Sequence, residues 1–447
     1  MSLKTKAPKD SDTVGRRIYI VEAMVEYFIS LMIGGAFLAK ITENIGLSDS
    51  LTGILSAFVS LGGTFQLFAL LLVNVRPRKR LVMFGQLINQ LCFSLLYLVP
   101  VFHVSTTVKT VMLVVFLLTG YILHNVVNSP KINMFMEMVP ENKRGVFTGT
   151  KEIVSLIGGV VYTYAMGAVI DWFEARGDIR TAFIVGAITL FTLTFGHALL
   201  IFFTKEKPSE IKKESVWKSM GGILSNKNVW KVIAIQMLYQ MALYTATPFY
   251  GTYQNKELGF SMVIVSVIAI IVAVVRAIAS RPIGRISDKK GCPFMLNICY
   301  GLYALAFAIN IFTVPSNGIV LFIMYSVIAA VAAAGTNNSL INFIYSKVPA
   351  SQRMGAFAVQ SAISGVMGFL TTVVVSRLVT HIQNSGNTFL GLSVYAQQVV
   401  SALAVLILIA NIVFMNIAFR KKKASEENQK KENDEENQEK ENNEEQL

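Results

Sequence analysis

Charge is scarce in this chain of 447 residues: Asp, Glu, Lys and Arg make up 15% of it, well below the roughly 25% of an ordinary soluble domain. That excludes a water-soluble globular protein. Cysteine is scarcer still, with Cys92, Cys292 and Cys299 the full set. They show neither CxxC nor metal-ligand spacing, so a disulfide framework and a zinc site are both excluded, and they read as small apolar side chains in helices. His103, His124, His197 and His381 are scattered without ligand spacing. No GxxxxGKS/T phosphate loop, HExxH helix or GxSxG elbow occurs, which leaves ATP hydrolysis, zinc-assisted hydrolysis and serine-nucleophile chemistry without a site. Neither an enzyme nor a cofactor is expected. A cleavable leader is not expected either, since the chain is polar and basic through Arg17 and the first apolar run is too long and lacks a small-residue cleavage site.

What is abundant is apolar sequence, with 53% hydrophobic residues and a mean hydropathy of +0.54. A hydrocarbon layer about 30 Å thick needs about 20 apolar residues at 1.5 Å each. Such runs fall at about 18 to 40, 51 to 74, 81 to 102, 109 to 138, 149 to 171 and 181 to 203, and again at about 230 to 253, 260 to 283, 293 to 314, 318 to 347, 356 to 379 and 395 to 419. Unpaired backbone groups cannot sit in lipid, and unbroken runs of this length lack the alternation of a barrel, so they are read as helices.

The chain also repeats itself. NSPKINMFMEMVPENKRGVF, from Asn128, is answered by NNSLINFIYSKVPASQRMGAF, from Asn337. Asn128, Ile132, Asn133, Val139-Pro140 and Arg144 match Asn337, Ile341, Asn342, Val348-Pro349 and Arg353, all 209 positions apart (337 less 128). Gly46-Leu47-Ser48 likewise answers Gly259-Phe260-Ser261. The fold class that follows is an all-α membrane protein with twelve transmembrane helices in two pseudo-symmetric six-helix halves, 18–203 and 230–419. Two similar membrane halves are how many secondary transporters are built, with substrate held between them.

Lysine and arginine collect at alternate turns: Arg16-Arg17, Arg76 to Arg80, Lys143-Arg144, the lysines of 204–229, Arg285 with Lys289-Lys290, Arg353, and Arg420 to Lys423. Positive loops stay inside, so residues 1–17, the 204–229 linker and the 420–447 tail are expected in the cytoplasm, and the protein as a multi-pass component of the cell membrane. The net charge of +13 then reflects topology and contact with anionic lipid, with no nucleic-acid partner. Val216-Trp217 and Ile223-Leu224 would let part of the linker lie along the membrane surface. The charged tail holds almost no apolar residue and is expected to be disordered.

Between the eighth and ninth runs lies Gly284-Arg285-Ile286-Ser287-Asp288-Lys289-Lys290-Gly291, read as a loop. A glycine, a small residue, an aspartate, basic residues and a second glycine between two membrane helices resemble the signature loop of the major facilitator superfamily. In that family the aspartate pairs with basic residues and a helix end to lock the cytoplasmic side shut in the outward-open state. The resemblance makes Gly284, Arg285, Asp288, Lys289 and Gly291 gating candidates, with Asp288 the latch. The N-terminal counterpart keeps basic residues at Arg76 to Arg80 but has Asn74 and Arg78 where the first glycine and the aspartate would stand. The resemblance covers about 18 to 419.

Ionisable residues inside the apolar runs carry the functional signal, because each costs about 3 kcal/mol or more at a helix centre on insertion scales. Glu22 and Glu26 lie one turn apart on one face of the first helix. Counted from Arg17, Glu26 is about 13 Å deep, with Glu22 nearer the cytoplasmic water. Lys131 follows Pro130 at a comparable depth, and Arg276 lies within the eighth run. The resemblance implies that the first, fourth, seventh and tenth helices line a central cavity, which puts Glu26 and Lys131 in one space. Glu26 and Glu22 are the proton-coupling candidates, and His124 a further proton carrier. A Glu26–Lys131 pair would equally serve packing, and Arg276 is either an anion anchor for substrate or a counter-charge to Glu26. Asn125, Asn128, Gln236, Tyr239, Gln240, Asn337 and Asn338, with Lys131 and Arg276, are the substrate-binding candidates. Amides and tyrosines suit a sugar or glycoside, although amides also join membrane helices. Pro130, Pro248, Gly62-Gly63, Gly158-Gly159, Gly365 and Gly368 would break or slim helices.

The reading that results is a monomeric secondary transporter moving a small polar organic solute with protons by alternating access. Uptake is favoured because Ser155 to Asp171 lacks the glycine-proline-glycine pattern of the superfamily's drug antiporters. Proton-coupled export of an amphipathic compound is the second reading, and a receptor or scaffold without transport the third.

Overall fold

Every apolar run of the sequence folds as a helix, and the polar turns between them set where each helix starts. The computed structural model describes residues 10–72, 78–140, 143–206, 223–349 and 352–419. In the first half, α1 comprises Asp10–Met32 and, beyond a 43° bend, Gly35–Ile45. α2 runs in three segments, Asp49–Ser56, Phe58–Thr64 and Gln66–Leu72. α3 is Arg78–Leu96, α4 Thr106–Met136, α5 Arg144–Glu174 and α6 Ile179–Phe203. In the second half, α7 is Lys227–Ala246, continued through short irregular turns to Glu257. α8 is Met262–Lys290, α9 Cys292–Ile311, α10 Gly318–Tyr345, α11 Arg353–Asn384 and α12 Ala396–Phe419. A two-stranded antiparallel hairpin, β1 Thr388–Phe389 with β2 Leu392–Ser393, joins the last two.

Among the described residues, nine helices are long and apolar enough to cross a bilayer, ten with the bent α1 counted as one span. The other two, α3 and α7, have 19 and 20 residues, enough length by the 1.5 Å rise. Their lower hydropathy comes from Arg78, Lys79, Arg80, Gln86, Asn89 and Gln90 in α3, and from Lys227, Lys231, Gln236 and Gln240 in α7.

The repeat is written into the helix ends. α4 and α10 stop at Met136 and Tyr345, and α5 and α11 start at Arg144 and Arg353, in both cases 209 positions apart (345 less 136, 353 less 144). Gly46 and Gly259 both adopt positive φ, +82° and +64°, where only glycine is comfortable. The serines that follow, Ser48 and Ser261, accept hydrogen bonds from Leu51 N and Ile264 N. The doubled Gly-x-Ser is therefore a turn plus an N-cap for α2 and for α8.

On the face opposite the termini the two halves are tied together. Asp49, 4% exposed, accepts from Lys256 Nζ at 2.6 Å and from Gln383 Nε2 at 2.8 Å. Asp171, at the end of α5, accepts from Met262 N and Val263 N, both at 2.8 Å, capping α8 across the interface. A Cβ at Gly251 would stand 2.5 Å from Gly35 O, so α1 and α7 touch backbone to backbone there. Deeper in, Ser60 Oγ donates to Gly365 O at 3.0 Å and Ser266 Oγ to Thr163 O at 2.9 Å, closing the α2–α11 and α5–α8 seams.

Several expectations need correction. The stretch 284–291 is not a loop: α8 runs through Lys290 and stops at Gly291, whose φ is +86°. Nothing in Arg285 to Lys290 breaks a helix, and Lys289 and Lys290 suit its negative C-terminal end. Pro130 lies inside α4 without ending it, as membrane helices tolerate, whereas Pro248 does interrupt α7. Gly62, Gly158, Gly159, Gly365 and Gly368 slim their helices: a Cβ at Gly158 would meet the Phe28 ring at 2.8 Å. Ile223 is fully buried, next to Gly355 of α11. It anchors the linker's end to the second half, not to the membrane surface, while Val216-Trp217 and the 420–447 tail lie outside the described residues.

Candidate functional site

Four helices of the first half bring their polar side chains to one place. Glu22 and Glu26 project from α1, Gln86 from α3, His124 and Lys131 from α4, and His197 from α6. Lys131 Nζ lies 3.2 Å from Glu22 Oε1 and is hydrogen-bonded to Glu26 Oε2. His197 Nε2 is 2.8 Å from Glu22 Oε1. Gln86 Nε2 donates to Glu26 Oε1 at 3.1 Å, and His124 Nδ1 is 3.6 Å from the same oxygen. The result is a continuous row, His197–Glu22–Lys131–Glu26–His124.

Burial grades the row from inside outward. Glu22 and His197 are 0% exposed and Lys131 2%, whereas the side chains of Glu26 and His124 are 20% and 36% exposed. The expected order of water access along α1 is thus reversed. Glu22 is nearer the terminal end of the helix, but α6 and Lys131 cover it, and Glu26 faces the open space. Charges this deep cost several kcal/mol each to desolvate and persist only when paired. Two carboxylates face one lysine here, so acids outnumber fixed cations by one in the row. Glu22 Oε2, His197 Nδ1 and Gln86 Oε1 remain buried without a hydrogen-bond partner.

Glu26, His124 and Lys131 border a cavity of about 490 Å³ that also takes in Tyr19, Tyr27, Asn128, Lys151, Glu152 and Arg276. It lies between the halves, since Arg276 belongs to α8 and the rest to α1, α4 and α5. Lys151 and Glu152 belong to the first turns of α5, so the space reaches toward the face that carries the termini. Arg276 Nη2 is 3.9 Å from Glu152 Oε1, both side chains well exposed. Arg276 therefore faces Glu152, not Glu26.

The remaining candidates separate. Asn128 lines this cavity, but Asn125 donates to Tyr121 O of its own helix at 2.9 Å and packs against Gly62. Gln236 and Asn337 line a second space of about 300 Å³ with Gln360 and Ser361 of α11. The Oε1 atoms of Gln236 and Gln360 are both buried there without a partner. Tyr239 is no lining residue. It is 4% exposed, stacks on Tyr300 at 5.3 Å and donates to Tyr303 OH at 3.2 Å, inside the aromatic core of the second half. Gln240 is half-buried on α7, and the side chain of Asn338 lies outside the described residues. Gly284 and Asp288 border a third space, of about 240 Å³, against Ser339 and Asn342 of α10. Asp288 is exposed, as are Arg285 and Lys289, which do not line that space.

His197 and Gln86 escaped the sequence reading. His197 sits in the middle of an apolar run, and the cost argument that singled out Glu22 and Glu26 applied to it equally. Among the described residues, no group of three or more His, Cys, Asp or Glu side chains could hold a metal ion.

Residues 21–372 match the family described as Major Facilitator Superfamily. No curated protein matches the chain. Among solved structures, the nucleoside transporter NupG superimposes with a TM-score of 0.68 at 12% identity, over 90% of this chain and 98% of that one. A bacterial homologue of the human lysosomal transporter Spinster, inward-facing and occupied, gives 0.66 at 16% identity, over 93% and 98%. A D-xylose–proton symporter gives 0.61 at 14% identity, over 89% and 97%. At such identities the likeness is one of fold.

Proposed function

Because the chain belongs to the major facilitator superfamily, whose members with this fold are transporters, we propose that it takes up a small polar organic solute together with protons by alternating access. The lysine and arginine bias puts the terminal face in the cytoplasm. The conformation described, tied shut at Asp49 and Asp171 and open at the first turns of α5, is then the inward-open one. In it Asp288 is exposed, which supports reading it as a latch that engages only in the opposite state. Asn128 on one side and Gln236 and Asn337 on the other offer amides to hydroxyl groups, which favours a sugar or glycoside.

One observation carries proton coupling: two carboxylates share one lysine at the edge of the cavity. Taken apart from the other charges of the cavity, the row is one charge short of balance, and one proton balances it. Closing the cavity on the cytoplasmic side strips water from Glu26 and raises the cost of the unbalanced form, so the step between states is linked to the proton. Glu26→Gln keeps the shape and removes the titration. In proteoliposomes holding the full chain, this variant is expected to exchange solute down its gradient but not to concentrate it on an imposed pH gradient. Uphill accumulation by Glu26→Gln removes Glu26 from the coupling role.

A further inference from the structure

Lys151 is unlike the other cations of the cavity. Lys131 is held by two carboxylates and Arg276 faces Glu152, whereas the ammonium of Lys151 reaches only the Tyr19 hydroxyl at 3.4 Å and stands 4.7 Å from the centre of its ring. Among the described residues no carboxylate pairs with it. Tyr19 is itself fixed, 2% exposed and stacked on Phe135 at 4.3 Å, so Lys151 is placed on a rigid wall with no carboxylate in contact with it. Arg276, from the other half, lines the same space.

The charges around the cavity balance before any proton is added. Among the lysine, arginine and carboxylate side chains, Lys131, Lys151 and Arg276 face Glu22, Glu26 and Glu152. Loading one proton onto the Glu22–Glu26 row leaves one positive charge over. From this we propose that the transported solute is an organic monoanion, its negative group held between Lys151 of α5 and Arg276 of α8. The proton makes the site positive and the anion makes it neutral again. This rests on the proton-coupled reading given above and narrows its substrate to an acid, of which a sugar acid suits the Ser30, Asn128, Thr148 and Ser155 side chains that line the same space. The two cations sit on opposite halves, so the anion is also what draws the halves together when the cavity closes.

The test uses the full chain in proteoliposomes under an acid-outside gradient, with matched probes: gluconate against glucose, galacturonate against galactose, xylonate against xylose. The acids are expected to accumulate and their neutral parents not to. Lys151→Gln and Arg276→Gln are expected to raise the half-saturating acid concentration at least tenfold, with Lys151→Arg close to the parent. Glu152→Gln, which removes a competing carboxylate, is expected to lower it. Proton-driven accumulation of the neutral sugars instead overturns the anion proposal and leaves the proton-coupled reading standing. If no probe, acid or neutral, moves with protons, both fall. Acid uptake that Lys151→Gln leaves unchanged in a correctly folded, monodisperse preparation also overturns it.

Discussion

Glu22 on α1 and His197 on α6 share a 2.8 Å hydrogen bond in a spot where both residues are fully buried. The bond makes the innermost carboxylate depend on a helix 175 residues away in sequence. His197→Leu is expected to lower stability by about 1–3 kcal/mol, the cost of leaving a buried acceptor short of a partner. His197→Gln, which can still donate, should lose much less. Thermal unfolding of the detergent-purified variants checks this, and equal losses for the two would mean that the histidine contributes bulk and not a hydrogen bond.

Lys131 carries the larger burden. Lys131→Met leaves two carboxylates with no cation and is expected to cost about 3–5 kcal/mol, seen as a fall in melting temperature or loss of expression. Adding Glu22→Gln and Glu26→Gln to it should recover most of that stability without recovering transport. If the triple variant is no more stable than Lys131→Met, the loss came from the cavity left by the side chain and not from charge.

On the face away from the termini, Asp49 is the group through which α2, the end of α7 and α11 are joined. Asp49→Asn weakens both bonds in the conformation described here and has no such effect when that face is open. A loss of about 1.4 kcal/mol moves the population about tenfold toward the opposite opening. Spin labels at Val104 and Ser316 should report a longer distance in the variant, and an unchanged distribution would show that the α2–α11 and α5–α8 seams hold the face shut alone.

Topology has its own check. Single cysteines at Lys143 and Gln352 are expected to react with an impermeant thiol reagent only from the cytoplasm, and one at Gly177 only from outside. Reversed labelling would falsify the orientation and with it the inward-open assignment.

Much of this architecture was legible because it is written in local chemistry. Val-Pro followed by a basic turn ends α4 and α10 at matching positions, and Gly-x-Ser starts α2 and α8, so the repeat could be read before any contact was known. Depth along α1 likewise placed Glu26 level with Lys131. What counting residues cannot supply is azimuth and neighbours. Glu22 was assigned to water because its height is known from the sequence, while the side chain that covers it, His197, comes from another helix. Tyr239 has the composition of a cavity residue, yet α9 brings Tyr300 and Tyr303 against it. The stretch 284–291 reads as a loop on charge alone, although each residue before Gly291 is free to continue a helix.

The buried row also sets an order for biogenesis. Glu22 and Glu26 enter the bilayer on α1, whereas Lys131 arrives later, with α4, and His197 later still, with α6. Until then two acids stand in or near the lipid at roughly 3 kcal/mol each on insertion scales. The early helices of the first half therefore cannot settle one at a time: α1 must stay close to the insertion machinery, or stay protonated, until its partners are made. A nascent chain halted before α4 should remain bound to that machinery, and one halted after α6 should be released.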